Sequence, residues 1–141
     1  MKKKSSILIY EDDIDLTLQW RKALEEKGFY VDITSDFKEA MNLCLFCEYD
    51  LIICDIFIKN EDGNYNGIGG ITFLNFLKKR DVKRLNWVKN APIIIVSGSL
   101  SAKKNNGSYY TNKFDINETL IKPFTTSYLL EKVNYYINKT N

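Results

Sequence analysis

Glu11, Asp12 and Asp13 follow the apolar run Ile7-Leu8-Ile9-Tyr10, and Asp55 ends a second run, Leu51-Ile52-Ile53-Cys54. Ser97 closes a third, Pro92-Ile93-Ile94-Ile95-Val96, and Lys122 follows Thr119-Leu120-Ile121 and precedes Pro123. If these runs are strands of one parallel sheet, four acids, a hydroxyl and an amine converge at the strand ends, where open α/β sheets bind ligands. Crowded carboxylates repel one another and stay ionised only when a cation or a lysine offsets them. Hard oxygen donors without histidine or thiolate favour Mg²⁺ or a similar ion. A metal held by two carboxylates suits phosphoryl transfer, in which positioning and charge neutralisation carry most of the catalysis. One carboxylate can itself be the nucleophile and form an acyl phosphate, with the lysine and hydroxyl on the remaining phosphoryl oxygens.

What the sequence lacks narrows the chemistry further. It contains no histidine, which excludes Ser-His and Cys-His triads and histidine metal ligands. Any phosphohistidine must therefore come from another protein. Lys and Arg number 20 against 18 for Asp and Glu, a balance that gives no basic footprint for nucleic acid. No run approaches the roughly 18 apolar residues of a membrane-spanning helix, and the start, Met1-Lys2-Lys3-Lys4, leads too quickly into acids to be a signal peptide. Three cysteines, an odd number, fit a reducing cytoplasm rather than a disulfide framework. Cys44 and Cys47 form a C-x-x-C, but inside an apolar-periodic segment with no second pair, so they read as core or surface thiols rather than a zinc site.

The elements that must position these residues alternate along the 141-residue chain. Helical stripes are predicted over Ile14 to Lys27 (closed by Gly28), from a cap at Ser35 or Asp36 to near Glu48, over Ile71 to Arg80, over Ser101 to Asn112, and over Thr125 to Asn138. Strands are predicted at Ile7 to Tyr10, Tyr30 to Thr34, Leu51 to Cys54, Pro92 to Val96, and Thr119 to Ile121. Near-continuous apolar strands between helices imply a parallel sheet covered on both faces, a doubly wound α/β domain. One domain over 1–141 is expected, with residues 1–5 as a solvated tail and 60–69 as an inserted loop beside the strand ends. Asp13 reads as a helix cap rather than a site residue.

Four stretches carry a resemblance: Ile7-Leu8-Ile9-Tyr10-Glu11-Asp12-Asp13, Tyr49-Asp50-Leu51-Ile52-Ile53-Cys54-Asp55, Ile94-Ile95-Val96-Ser97-Gly98 and Leu120-Ile121-Lys122-Pro123-Phe124. In this order and spacing the chain resembles the receiver domain of bacterial response regulators over nearly its full length. The resemblance implies a flavodoxin-like sheet of strand order 2-1-3-4-5. It implies Asp55 as phosphoacceptor, Asp12 as a direct Mg²⁺ ligand, Glu11 acting through water, and Asp55 with the Phe57 carbonyl completing the protein ligands. Ser97 and Lys122 resemble the family's hydroxyl and lysine, and Lys122-Pro123 its cis peptide. It further implies a histidine kinase or histidine phosphotransfer protein as phosphoryl donor, and a downstream protein target whose identity the sequence does not give.

The chain departs from the family pattern in three places. Lys59 stands where a proline is usual, with glycines at 63, 67 and 69 following in the inserted loop. Thr119 replaces the usual aromatic residue three positions before the lysine, so Tyr109, Tyr110 or Phe114 become candidates for its role, with ordinary packing the simpler reading. Nothing resembling an output domain follows the last helix, so docking on another protein is the expected output. Tyr128 and Tyr135, and Leu18 and Trp20 on the first helix, are candidate docking residues, with core packing the simpler reading for Trp20. A pseudo-receiver that binds without phosphorylation is the alternative. A Mg²⁺-dependent phosphohydrolase ranks below it, because Phe57 stands where a second acid would be needed.

Overall fold

A computed structural model of the chain describes residues 3–56, 69–79, 81–98 and 108–140. Five strands form one sheet: β1 (Ser6–Tyr10), β2 (Tyr30–Thr34), β3 (Leu51–Asp55), β4 (Ile93–Ser97) and β5 (Glu118–Ile121). All neighbours are parallel, in the order β2-β1-β3-β4-β5. The chain leaves β1 for β2 on one side and returns to β3 on the other. That reversal opens a crevice at the carboxyl ends of β1 and β3, where Glu11 and Asp55 lie.

Period-two alternation along the strands sends side chains to two separate cores. Leu8, Tyr10, Ile52, Cys54, Ile93 and Ile95 pack on one face with Phe73, Leu74 and Leu77 of α3 (Gly69–Leu77) and Ala40 and Cys44 of α2 (Phe37–Phe46). Ile7, Ile9, Leu51, Ile53, Ile94 and Val96 pack on the other, with Trp20 and Leu24 of α1 (Ile14–Glu26) and Leu129 and Val133 of α5 (Thr126–Thr140). Each buried aliphatic side chain contributes roughly 1.5–3 kcal/mol, so the sheet is fixed from both sides and its strand ends are a rigid platform.

Local signals set the helix ends. Asp13 caps α1, accepting from the Leu16 N–H at 3.1 Å, and Asp36 rather than Ser35 caps α2, accepting from the Glu39 N–H at 2.9 Å. Gly28, at φ 94°, turns the chain out of α1. Helix α2 stops at Phe46 because Cys47 is already extended. Helix α3 begins at Gly69, two residues before the predicted start, which places position 69 in a helix; 60–68 lie outside the described residues. Helix α4 (Ser108–Phe114) covers the end of the segment predicted over Ser101 to Asn112 and runs past it; 101–107 lie outside the described residues. A 3-10 helix, Lys83–Asn90, was not anticipated, since it buries only Leu85 and Val88 among polar residues and so carries no helical stripe. No helix among the described residues is long and apolar enough to cross a membrane.

Candidate functional site

Glu11 leaves the end of β1 with its N–H bonded to Thr34 O at 3.1 Å, so the last residue of β2 fixes the acid's backbone. Asp12 follows it, and Asp13 turns away to cap α1. Asp55 ends β3 opposite Val96 of β4, and the next residue's N–H, on Ile56, reaches Val96 O at 3.4 Å. Glu11, Asp12 and Asp55 each offer a carboxylate oxygen within 4.8 Å of the others. The first and last are 3% and 4% exposed, which is rare for carboxyl groups unless something offsets their charge.

Lys122 supplies part of that offset. Its Nζ donates to Asp55 Oδ2 at 2.9 Å and to Glu11 Oε1 at 2.9 Å. The lysine is held by its backbone: its N–H donates to Ser97 O at 2.9 Å, and the peptide to Pro123 is cis. Ser97 itself is fully buried at the end of β4. One lysine shared between two acids leaves charge uncompensated. Burial, reinforced by Asp55, pushes the Glu11 carboxyl from 4.5 up to about 8, against the pull of Lys122. Burial works to lower Lys122, but the charges of Asp55 and Glu11 outweigh it and hold the amine above its ordinary range. Glu11 Oε2 is buried with no hydrogen-bond partner among the described residues. An orphaned, buried carboxylate oxygen within a cluster of three acids is what a hard divalent cation would satisfy.

The structure thus brings Glu11, Asp12, Asp55 and Lys122 together and sets Ser97 at the end of the adjoining strand. Phe57 and Lys59 lie outside the described residues, as do the side chains of Tyr109 and Tyr110. Thr119 points toward α4, where its Oγ1 lies 2.8 Å from Thr111 Oγ1. Phe114 is partly buried against the α2–α3 core. Trp20 is corrected as a docking candidate: it is 1% exposed and stacks on Phe124, with ring centroids 5.7 Å apart. Leu18, Tyr128 and Tyr135 are exposed. Of the C-x-x-C pair, Cys44 is buried and Cys47 exposed, both as free thiols.

Sequence reasoning passed over Gly70. A Cβ built there would stand 2.1 Å from the Asp55 carbonyl oxygen. The sequence shows only a Gly69-Gly70 doublet directly before an apolar helical stripe, with nothing in it to mark what the missing side chain would meet.

The chain is similar to known proteins in sequence and in fold. The family model described as response regulator receiver domain matches residues 7–134. The transcriptional regulatory protein HprR of Escherichia coli is 28% identical over 90% of this chain and 49% of its own length; the chain spans about half the length of the curated relatives it matches. Among solved structures, a Francisella response regulator receiver domain superposes with a TM-score of 0.76 at 25% identity, covering 98% of this chain and 100% of that one. The Thermotoga maritima response regulator TrrA, determined in complex with Mg²⁺ and BeF, superposes with a TM-score of 0.67 at 23% identity, covering 94% and 98%.

Proposed function

We propose that this chain, which belongs to the response regulator receiver domain family, accepts a phosphoryl group on Asp55 from a phosphohistidine on a histidine kinase or phosphotransfer protein. The observation that carries the reading is the bridge from Lys122 Nζ to both Asp55 and Glu11, at 2.9 Å each. It joins the ends of β1, β3 and β5 around one carboxylate. With no histidine in the chain, the donor's imidazole is external.

In this reading an Asp55 carboxylate oxygen attacks phosphorus as the donor's P–N bond breaks. The bonding pair leaves on the imidazole nitrogen, which takes up a proton, and Asp55 becomes an acyl phosphate. Water attack on phosphorus later breaks the new P–O bond and returns the carboxylate and inorganic phosphate. Asp12 and Asp55 would hold Mg²⁺ directly, Glu11 through water, and the Phe57 carbonyl would complete the set; the ion neutralises charge on the transferring group. Lys122 sits where it can leave Glu11 and follow negative charge onto the phosphoryl oxygens. Ser97, buried at the end of β4, is assigned the hydroxyl contact to that group. TrrA's complex with Mg²⁺ and BeF supports the metal. The same chemistry makes the chain a signalling module that turns over its own modification, rather than an enzyme acting on other substrates.

Incubation with Mg²⁺ and acetyl phosphate, followed by intact mass, tests the proposal. One phosphoryl group per chain is expected, absent in Asp55→Asn and absent after chelation. Modification that persists in Asp55→Asn overturns the assignment.

A further inference from the structure

We propose that Gly70 is a positioning residue for the phosphoacceptor: its missing side chain lets the first turn of α3 seat against the Asp55–Ile56 peptide and fixes where the Asp55 carboxylate lies. The inference rests on the phosphoacceptor reading of Asp55 and extends it to a residue in a different element.

A Cβ at Gly70 would stand 2.1 Å from Asp55 O, 2.5 Å from Ile56 Cα and 2.6 Å from Ile56 O. All three are backbone atoms, so no side-chain rotation relieves the overlap. The peptide cannot retreat easily, because β4 holds its far side through the Ile56 N–H to Val96 O bond and the Asp55–Val96 register. Cys54 Sγ lies at 3.4 Å from Asp55 O and 4.0 Å from Gly70 O, filling the remaining space, and Cys54 and Ile56 are fully buried. The helix cannot back away either, since Phe73, Leu74 and Leu77 anchor α3 in the core. A side chain at position 70 must therefore move the residue that carries the nucleophile. The Asp55 carboxylate is held within 2.9 Å of Lys122 and within 4.8 Å of its acidic partners, and a displacement on the order of 1 Å at such a site costs about 10²-fold in rate.

Gly70→Ala in the full chain tests this, beside Leu85→Ala. Leu85 is a core residue of the 3-10 helix before β4, at the opposite end of the sheet. Mg²⁺ affinity is read by tryptophan fluorescence, phosphoryl uptake by intact mass, and folded fraction by circular dichroism. Gly70→Ala is expected to weaken Mg²⁺ binding and slow acetyl phosphate uptake by about 10²-fold where it remains folded, while Leu85→Ala loses stability but keeps both. Wild-type affinity and rate in Gly70→Ala, or equal losses in Leu85→Ala, overturn the proposal. If Gly70→Ala is largely unfolded, trimethylamine oxide restores the folded population. Return of Mg²⁺ affinity with folding then rejects a positioning role, and a persisting defect supports it. A wild type that binds Mg²⁺ but takes no phosphoryl group defeats the phosphoacceptor reading alone, because the effect of Gly70→Ala on Mg²⁺ affinity is still measured.

Discussion

Lys122 Nζ lies 2.9 Å from Asp55 Oδ2, although 66 residues separate the two along the chain and they end different, non-adjacent strands. The contact exists because β4, lying between β3 and β5, passes its Ser97 carbonyl to the Lys122 N–H and so aims the amine back across the sheet edge. The amine therefore competes with any cation for the same carboxylates. That competition sets the first expectation. Lys122→Met should bind Mg²⁺ more tightly than wild type, since a fixed positive charge is gone. It should take up phosphoryl groups about 10²–10³-fold more slowly, the usual cost of removing a donor aimed at developing charge. Fluorescence titration and time-resolved intact mass measure the two effects separately; a parallel fall in both would contradict the competition.

Glu11 gives a pH dependence of definite sign. Its carboxyl is raised from 4.5 to about 8 in the folded chain, burial being the main cause. A raised group stabilises the fold fully below its unfolded value and loses that contribution as pH climbs through the folded value. Without Mg²⁺, this group's share of the stability should thus decline between about pH 4.5 and pH 8. Lys122 does not enter that window, because its shift is upward from 10.5. Mg²⁺ needs the ionised carboxylate and should release a proton on binding, so its apparent affinity rises with pH through the same range. Calorimetry in buffers of different ionisation enthalpy counts the proton. Glu11→Gln should remove both the proton release and the decline.

Thr119 and Thr111 share one hydrogen bond, 2.8 Å between hydroxyl oxygens, linking β5 to α4 three residues before Lys122. In a double-mutant cycle with valine at each position, the pair should show a coupling of about 0.5–1.5 kcal/mol. Phosphoryl uptake should be unchanged in either single variant, because neither hydroxyl belongs to the acid cluster. Urea denaturation gives the coupling and intact mass the uptake.

Thiol reactivity separates the three cysteines. Cys47 is exposed at the end of α2, whereas Cys44 and Cys54 are buried and burial pushes both thiols up, Cys44 to about 12. Reactivity follows the thiolate and its access. One fast equivalent with Ellman's reagent is therefore expected, lost in Cys47→Ser, with the other two appearing only at the rate of unfolding.

Most of the platform was legible in the sequence, and the reasons are physical. Strands such as Leu51-Ile52-Ile53-Cys54-Asp55 are apolar at every position but the last, so both the burial and the place of the exceptional acid could be read directly. Asp13 was legible as a cap because capping depends only on residues three positions apart. Gly70 was not, since its constraint comes from a strand end 15 residues upstream and appears only once α3 is docked. The bridge from Tyr136 OH to Asn117 O at 3.0 Å, and the Glu118 carboxylate shared by Tyr136 and Lys132, were equally hidden, because α5 and β5 had to meet first. Trp20 was open to two readings because a helical stripe records spacing and not which face a neighbour covers.

Trp20 also provides the most direct optical test of the site. Its ring stacks on Phe124, at 5.7 Å and 14°, and Phe124 stands two residues after Lys122. Trp87 sits at the other end of the sheet, in the 3-10 helix before β4, donating to Cys44 O at 3.1 Å and packed against Tyr49. A cation or phosphoryl group that draws Lys122 from its present partners should move the segment carrying Phe124 and leave Trp87 in place. Addition of Mg²⁺ and beryllofluoride should therefore change emission in wild type and in Trp87→Phe by similar amounts, and leave Trp20→Phe nearly silent. A signal that survives in Trp20→Phe but vanishes in Trp87→Phe would mean the rearrangement reaches the far end of the sheet, contrary to a response confined to the strand ends that hold Glu11, Asp55 and Lys122.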